Sequence, residues 1–166
     1  NVDGVLIELP SVLDLHRDGR GRILGVAAAR RSAQAPDVPT FIEAGAPGGY
    51  YNSPALDGSR PGAYYINLRD TSEWPRMQLP TLTYHEASPG HHHQIALQQE
   101  QPGRPLLMQV LGFSAYSEGW GLYSESLGED MGLYRTPYER FGRYSYEMWR
   151  ACRLVADTGI HWMGWD

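Results

Sequence analysis

The sequence predicts an α+β protein, mainly α, in which a few amino-terminal strands precede the helices that carry a metal site. Three observations predict it. Ala63-Tyr64-Tyr65-Ile66-Asn67-Leu68 is aromatic and β-branched between turn signals, which reads as a strand of about six residues. From Leu79 onward the chain turns to longer helix-forming stretches, the last of which spaces Tyr138, Phe141, Tyr144, Met148 and Cys152 three or four apart. Between strand and helices lies His85-Glu86, followed closely by His91-His92-His93, a density of metal-binding donors that a purely structural helix does not need.

Taken in order, residues 1 to about 62 are rich in Gly and Pro with short apolar runs such as Val5-Leu6-Ile7. Pro47-Gly48-Gly49 and Asp57-Gly58-Ser59-Arg60-Pro61-Gly62 act as turn punctuation. Residues 1–78 are therefore a strand and loop region, and 79–166 a helical metal-binding region, of one partial domain. The helical region starts at Leu79 with Pro80 in the first turn, and Pro89-Gly90 disturbs it. Helix resumes over Gln94 to Glu100 and ends at Gln101-Pro102-Gly103. A further helix is expected over roughly Leu106 to Leu127 before Gly128, and another from about Pro137 to Val155, with Tyr138, Phe141, Tyr144 and Met148 as core.

The 166 residues suffice for one domain with a sizeable core, and the 42% hydrophobic and 20% charged shares are those of a globular chain. A net charge of -5 and the lack of clustered cations argue against a nucleic-acid partner, whose affinity rests on counterion release. Every basic residue besides histidine is arginine, weakly suggesting a GC-rich source. The sole cysteine, Cys152, excludes an internal disulfide and a cysteine-based zinc site, so metal ligands must be His and carboxylate. No apolar run approaches a membrane span. The start Asn1-Val2-Asp3-Gly4 is neither a signal peptide nor an initiator and is read as a cut or processing point. Compartment stays open between the cytoplasm and export.

A hydrolytic zinc site needs two or three protein ligands, an open position, and a carboxylate to take a proton from water. The usual helical solution is His-Glu-x-x-His, whose four-residue spacing stacks both imidazoles on one face. Here His85-Glu86 supplies the start, but Pro89 stands where the second histidine belongs. On an unbroken helix His92 would share a face with His85 about 10 Å further along, and His91 would point away. A bulge at Ser88-Pro89-Gly90 would restore close pairing, so spacing leaves His91 and His92 open as the second histidine ligand. Glu118, in an otherwise small or apolar run, is the expected third ligand, and Glu125, two turns on, could orient an imidazole from behind. Gly119 and Gly121 would permit close helix approach. Glu86 is the expected general base. A histidine run alone reads as surface, and Glu86 and Glu125 alone as solvated carboxylates; their company favours metal.

Further along, Asp157 and His161 either cap the last helix at Gly159 or support the site. In the second case His161, with Tyr123 or Tyr146, would hydrogen-bond the oxyanion formed at an attacked carbonyl. Arg150 and Arg153 could hold a substrate carboxylate, though ion pairs to Glu147 or Asp157 are the commoner use.

His85-Glu86-Ala87-Ser88-Pro89-Gly90-His91-His92 with Gln94, then Ser117-Glu118-Gly119-Trp120 with Leu122-Tyr123-Ser124-Glu125, and Asp157-Thr158-Gly159-Ile160-His161 with Gly164-Trp165, resemble the bacterial domain-of-unknown-function family 885. Asp57 to Gly62 and Tyr65-Ile66-Asn67 are similar to that family as well, so the likeness covers most of the chain from about residue 50. The resemblance implies the zincin-like metallopeptidase group with a mainly helical catalytic half. It also implies a longer whole, of which this chain would be a carboxyl-terminal catalytic piece that associates with the remainder. Dipeptidyl-peptidase III is a looser parallel, since its active-site helix tolerates an insertion within His-Glu…His.

The expected function is thus zinc-dependent hydrolysis of a peptide or small amide. Zn2+ would be held by His85, His91 or His92, and Glu118, and Ala63 to Leu68 would pair with an extended peptide. An ester or non-peptide amide hydrolase, and a non-catalytic metal-binding module, are the rival readings.

Overall fold

The computed structural model describes residues 38–70 and 72–166, so the Val5-Leu6-Ile7 run lies outside the described residues. Two short strands, β1 (Gly49–Asn52) and β2 (Ala63–Ile66), pair antiparallel with Tyr51 opposite Tyr64. Tyr50 stacks on Tyr65 across the ladder at 5.2 Å between ring centroids, the cross-strand aromatic pairing that stabilises such small sheets. The expected strand is therefore present but two residues shorter, ending at Ile66. The Asn67 N–H still donates to the Gly48 carbonyl, and its side-chain amide donates to the carbonyls of Glu43 and Ala46.

A 3-10 turn (Arg76–Gln78) leads into α1 (Leu79–Glu86), followed by α2 (His91–Glu100), α3 (Leu106–Val110), α4 (Ser114–Asp130) and α5 (Pro137–His161). Pro80 sits in the first turn of α1, where its missing N–H costs nothing. From Pro80 to Glu86 every residue of α1 is buried, so α1 is the central rod, packed by α4, α5 and β1. The core gathers Tyr64, Ile66, Leu82 and Ala87, with Leu68 against it. At the other side of α1, Tyr84 meets Tyr134 edge to face at 5.2 Å and donates to the carbonyl of Leu133.

Three expectations are corrected. The helix expected over Leu106 to Leu127 is two helices, interrupted at Leu111 to Phe113, where Gly112 offers no side chain to hold a helical turn in place. The last helix runs past Val155 to His161, and Gly159 does not stop it: that glycine is buried under the Trp165 ring, and the left-handed turn falls at Gly164. Tyr138, Phe141, Tyr144 and Met148 are not core but 50–75% exposed. The inward face of α5 is instead set by Gly142, which rides against the Met77 carbonyl, and by Tyr146. A three-to-four spacing marks an apolar stripe without saying whether anything covers it.

Candidate metal centre

The centre is built where the α1–α2 break meets α4. Ser88-Pro89-Gly90 does not form a bulge inside a continuous helix; it ends one helix and starts another, with a cis Ser88–Pro89 peptide. Gly90 lies so close to the His85 carbonyl that a Cβ there would stand 1.8 Å from the oxygen, which requires glycine at this point. Two α4 side chains donate to carbonyls at the break. Trp120 Nε1 donates to Pro89 O at 2.8 Å and Gly90 O at 3.2 Å, and Ser124 Oγ reaches Pro89 O at 3.2 Å.

Breaking the helix resets its phase and thereby selects among the histidines. His85 and His91 face each other with ring centroids 4.6 Å apart, nearly perpendicular. Glu118, from α4, reaches both: Oε2 lies 3.3 Å from His85 Nε2 and Oε1 lies 3.5 Å from His91 Nε2. One donor atom from each of the three falls within 4.8 Å of the others, a group that could hold a metal ion. Two buried imidazoles opposite one exposed carboxylate fit such an ion: bonds of roughly 2.0–2.2 Å from a tetrahedral cation put ligand atoms roughly 3.3–3.5 Å apart, as Glu118 stands from each histidine. His92 is not in the group. It turns to β1, where Tyr51 Oη meets its Nδ1 at 2.9 Å.

Glu125 stands behind His85. The buried carboxylate lies 2.8 Å from Nδ1, and holding Nδ1–H there would leave Nε2, facing Glu118, to give its lone pair to a metal once its own proton is lost. Arg150 of α5 closes the arrangement, with Nη2 2.6 Å from Glu125 Oε1 and Nη1 2.8 Å from Oε2. The partner of Arg150 is thus Glu125, neither Glu147 nor Asp157. Spacing along one helix could not reveal a partner 25 positions away on another.

Electrostatics follow from this packing. Burial opposes a charge on His85, but hydrogen bonds to Glu118 and Glu125 and the neighbouring Glu86 outweigh it and push the imidazole up to about 9. The same histidine contacts hold Glu118 well below the usual carboxylate range. Burial raises Glu86, partly offset by His85 and His91. The backbone of Tyr51 lowers it in turn, so β1 lies against Glu86, and Tyr64 of β2 also feels its charge.

Of the remaining expected residues, Tyr146 is buried beside the group, its hydroxyl pushed up mainly by burial, within electrostatic reach of Arg150, Glu125 and Glu86. Tyr123 is 53% exposed and packs edge-on to Trp120. His161 and Asp157 pair with each other at 3.5 Å, both exposed. Eleven residues beyond Arg150, His161 lies roughly 16 Å further along the helix axis, so the structure does not bring it to the group. Tyr51 and the helix-joining role of Trp120 and Ser124 carry no signal in the sequence. Both depend on which way the chain leaves Pro89.

A family model described as bacterial protein of unknown function, DUF885, matches residues 27–166. The chain belongs to the DUF885 family. It is also similar to the crystal structure of a Colwellia psychrerythraea protein classed provisionally as a lipoprotein, with 50% sequence identity and a TM-score of 0.76. That match covers 79% of this chain and 23% of the other, so this DUF885 chain spans about a quarter of that protein's length. No curated protein matches it. Among the described residues, no helix of this DUF885 member is long and apolar enough to cross a membrane.

Proposed function

We propose that this chain carries the catalytic centre of a zinc-dependent hydrolase of the zincin-like metallopeptidase group. The observation that carries the reading is the convergence of His85, His91 and Glu118 next to the buried carboxylate of Glu86. A two-histidine, one-glutamate set is the donor set of catalytic zinc, with coordination left over for substrate or water. Zinc bound there would supply Lewis acidity toward a carbonyl and toward water.

The chain's own residues do the rest. Glu125 fixes the His85 ring, and Arg150 keeps that carboxylate in place. Glu86, raised by burial, accepts a proton from the attacking water and delivers it to the departing amine nitrogen. Tyr146 is the side chain best placed to donate to the oxyanion, in preference to Tyr123 and His161. Pairing of an extended main chain with the small β1–β2 sheet favours peptides over isolated esters.

The test is metal analysis together with cleavage of a peptide library, for the wild type and Glu86→Gln. Roughly stoichiometric zinc in both, with cleavage reduced at least ~100-fold in the variant, is the expected result. Undiminished hydrolysis by Glu86→Gln would remove Glu86 as the base, and zinc absent from the wild type would remove the centre.

A further inference from the structure

The two candidate histidine ligands are supported unequally. Behind His85, the Glu125 carboxylate meets Nδ1 at 2.8 Å. His91 turns Nε2 toward Glu118 at 3.5 Å, while its Nδ1 is buried without a hydrogen-bond partner among the described residues. A neutral imidazole that gives the Nε2 lone pair to a cation must carry its proton on Nδ1. In a buried ring that N–H requires an acceptor, and metal-bound histidines are nearly always matched by one.

The acceptor that α2 itself supplies is Gln94. Both polar atoms of its amide are buried and unpaired among the described residues, so its oxygen is an acceptor without a donor. Because the amide is closed off from solvent, its partner has to be a neighbour within the fold. His91 and Gln94 are 8% and 9% exposed and stand three positions apart at the start of α2. At that spacing two helical side chains are neighbours, about 5–6 Å apart at Cβ, within reach of a side-chain hydrogen bond. Ile95, the other residue one turn beyond His91, is apolar and offers no acceptor. An unmatched donor and an unmatched acceptor are thus held side by side by one helix, and side-chain rotation alone brings them together.

We propose that Gln94 is a positioning residue for His91: its amide oxygen accepts Nδ1–H, which keeps the ring proton off Nε2 and leaves that atom to the metal. The inference rests on the zinc reading above and adds to it the group that orients the second histidine, an amide where His85 has a carboxylate.

The experiment measures zinc affinity by chelator competition, and the urea midpoint of metal-free protein, for the wild type, Gln94→Met and Gln94→Glu. Gln94→Met keeps the length of the side chain but offers no acceptor, so zinc affinity should fall roughly 10-fold or more. Its metal-free midpoint should hold or rise, because an apolar group replaces an unpaired buried amide. Gln94→Glu retains an acceptor and should bind zinc within about threefold of the wild type. With isotope-labelled histidine, zinc-loaded wild type should show the His91 proton on Nδ1, as a downfield resonance that moves upfield in Gln94→Met.

A joint fall of zinc affinity and metal-free midpoint in Gln94→Met would make Gln94 merely structural and overturn the proposal. Unchanged zinc affinity in that variant, or a Gln94→Glu protein as weak as Gln94→Met, overturns it too, and each of these leaves the zinc reading standing. Should Gln94→Met not fold, the remaining spectra decide: a His91 proton on Nε2, or an Nδ1–H resonance that Gln94→Glu does not move, overturns the assignment. Failure of the wild type to bind zinc overturns both readings together.

Discussion

Glu125 places a carboxylate oxygen 2.8 Å from Nδ1 of His85, with both side chains buried. One carboxylate thus serves a candidate ligand on one side and the Arg150 guanidinium on the other. Glu125→Gln keeps an acceptor for His85 but loses the charge that holds both partners. Zinc affinity should fall roughly 10- to 100-fold, measured by competition with a chelator of known strength. Arg150→Met should lower the unfolding free energy of metal-free protein by about 2 kcal/mol, less than a fully buried pair would cost because Arg150 is partly exposed and His85 remains as a partner. Urea titration reads this directly, and an unshifted midpoint would show the ion pair to be idle.

The choice between adjacent histidines is equally open to test. His91→Ala should reduce zinc affinity at least ~100-fold through loss of a ligand, whereas His92→Ala should retain the metal. Tyr51→Phe should behave like His92→Ala, costing about 1 kcal/mol for a lost hydrogen bond with zinc content unchanged. Equal metal loss in His91→Ala and His92→Ala would contradict the geometry.

Two glycines on α4 should respond oppositely to the same substitution. A Cβ at Gly121 would sit 2.6–2.9 Å from ring atoms of His85, while one at Gly119 meets nothing within 4 Å. Gly119→Ala should therefore stabilise the protein by up to about 1 kcal/mol, the helix-propensity gain, and leave zinc binding alone. Gly121→Ala should forfeit that gain and weaken zinc binding by displacing the ring. Thermal melts with and without zinc separate the two, and parallel behaviour would count against close packing of α4 on His85.

At the start of α5, Thr136 and Glu139 form a reciprocal capping box, each side chain taking the other's backbone N–H. Thr136→Ala should cost about 1 kcal/mol, visible as a lower thermal midpoint with unaltered zinc affinity. Because Arg150 lies on the same helix, a coupled loss of metal would mean that the cap also governs where that arginine stands.

Much of the centre is legible in the residues. His85-Glu86 announces the motif, Glu118 is marked by its odd surroundings, and Glu125 by its position two turns on. The histidine choice is not legible, since spacing rules assume a continuous helix and Pro89-Gly90 ends one. Gly119 and Gly121 look alike in sequence, yet only Gly121 faces His85. The apolar stripe of α5 is a genuine pattern but not an interior. Periodicity locates a face, whereas burial depends on what lies opposite. Arg150 points toward Glu147 and Asp157 in sequence because only neighbours along one helix can be paired by counting.

The indole of Trp120 touches none of the ligand atoms, yet it ties down the two carbonyls at the junction between the histidine-bearing helices. The same helix brings Glu118. Sliding that helix would release the carboxylate and let the two imidazoles drift apart in a single movement. The three donors therefore assemble or scatter together, and a half-formed grip on the cation has no stable geometry of its own.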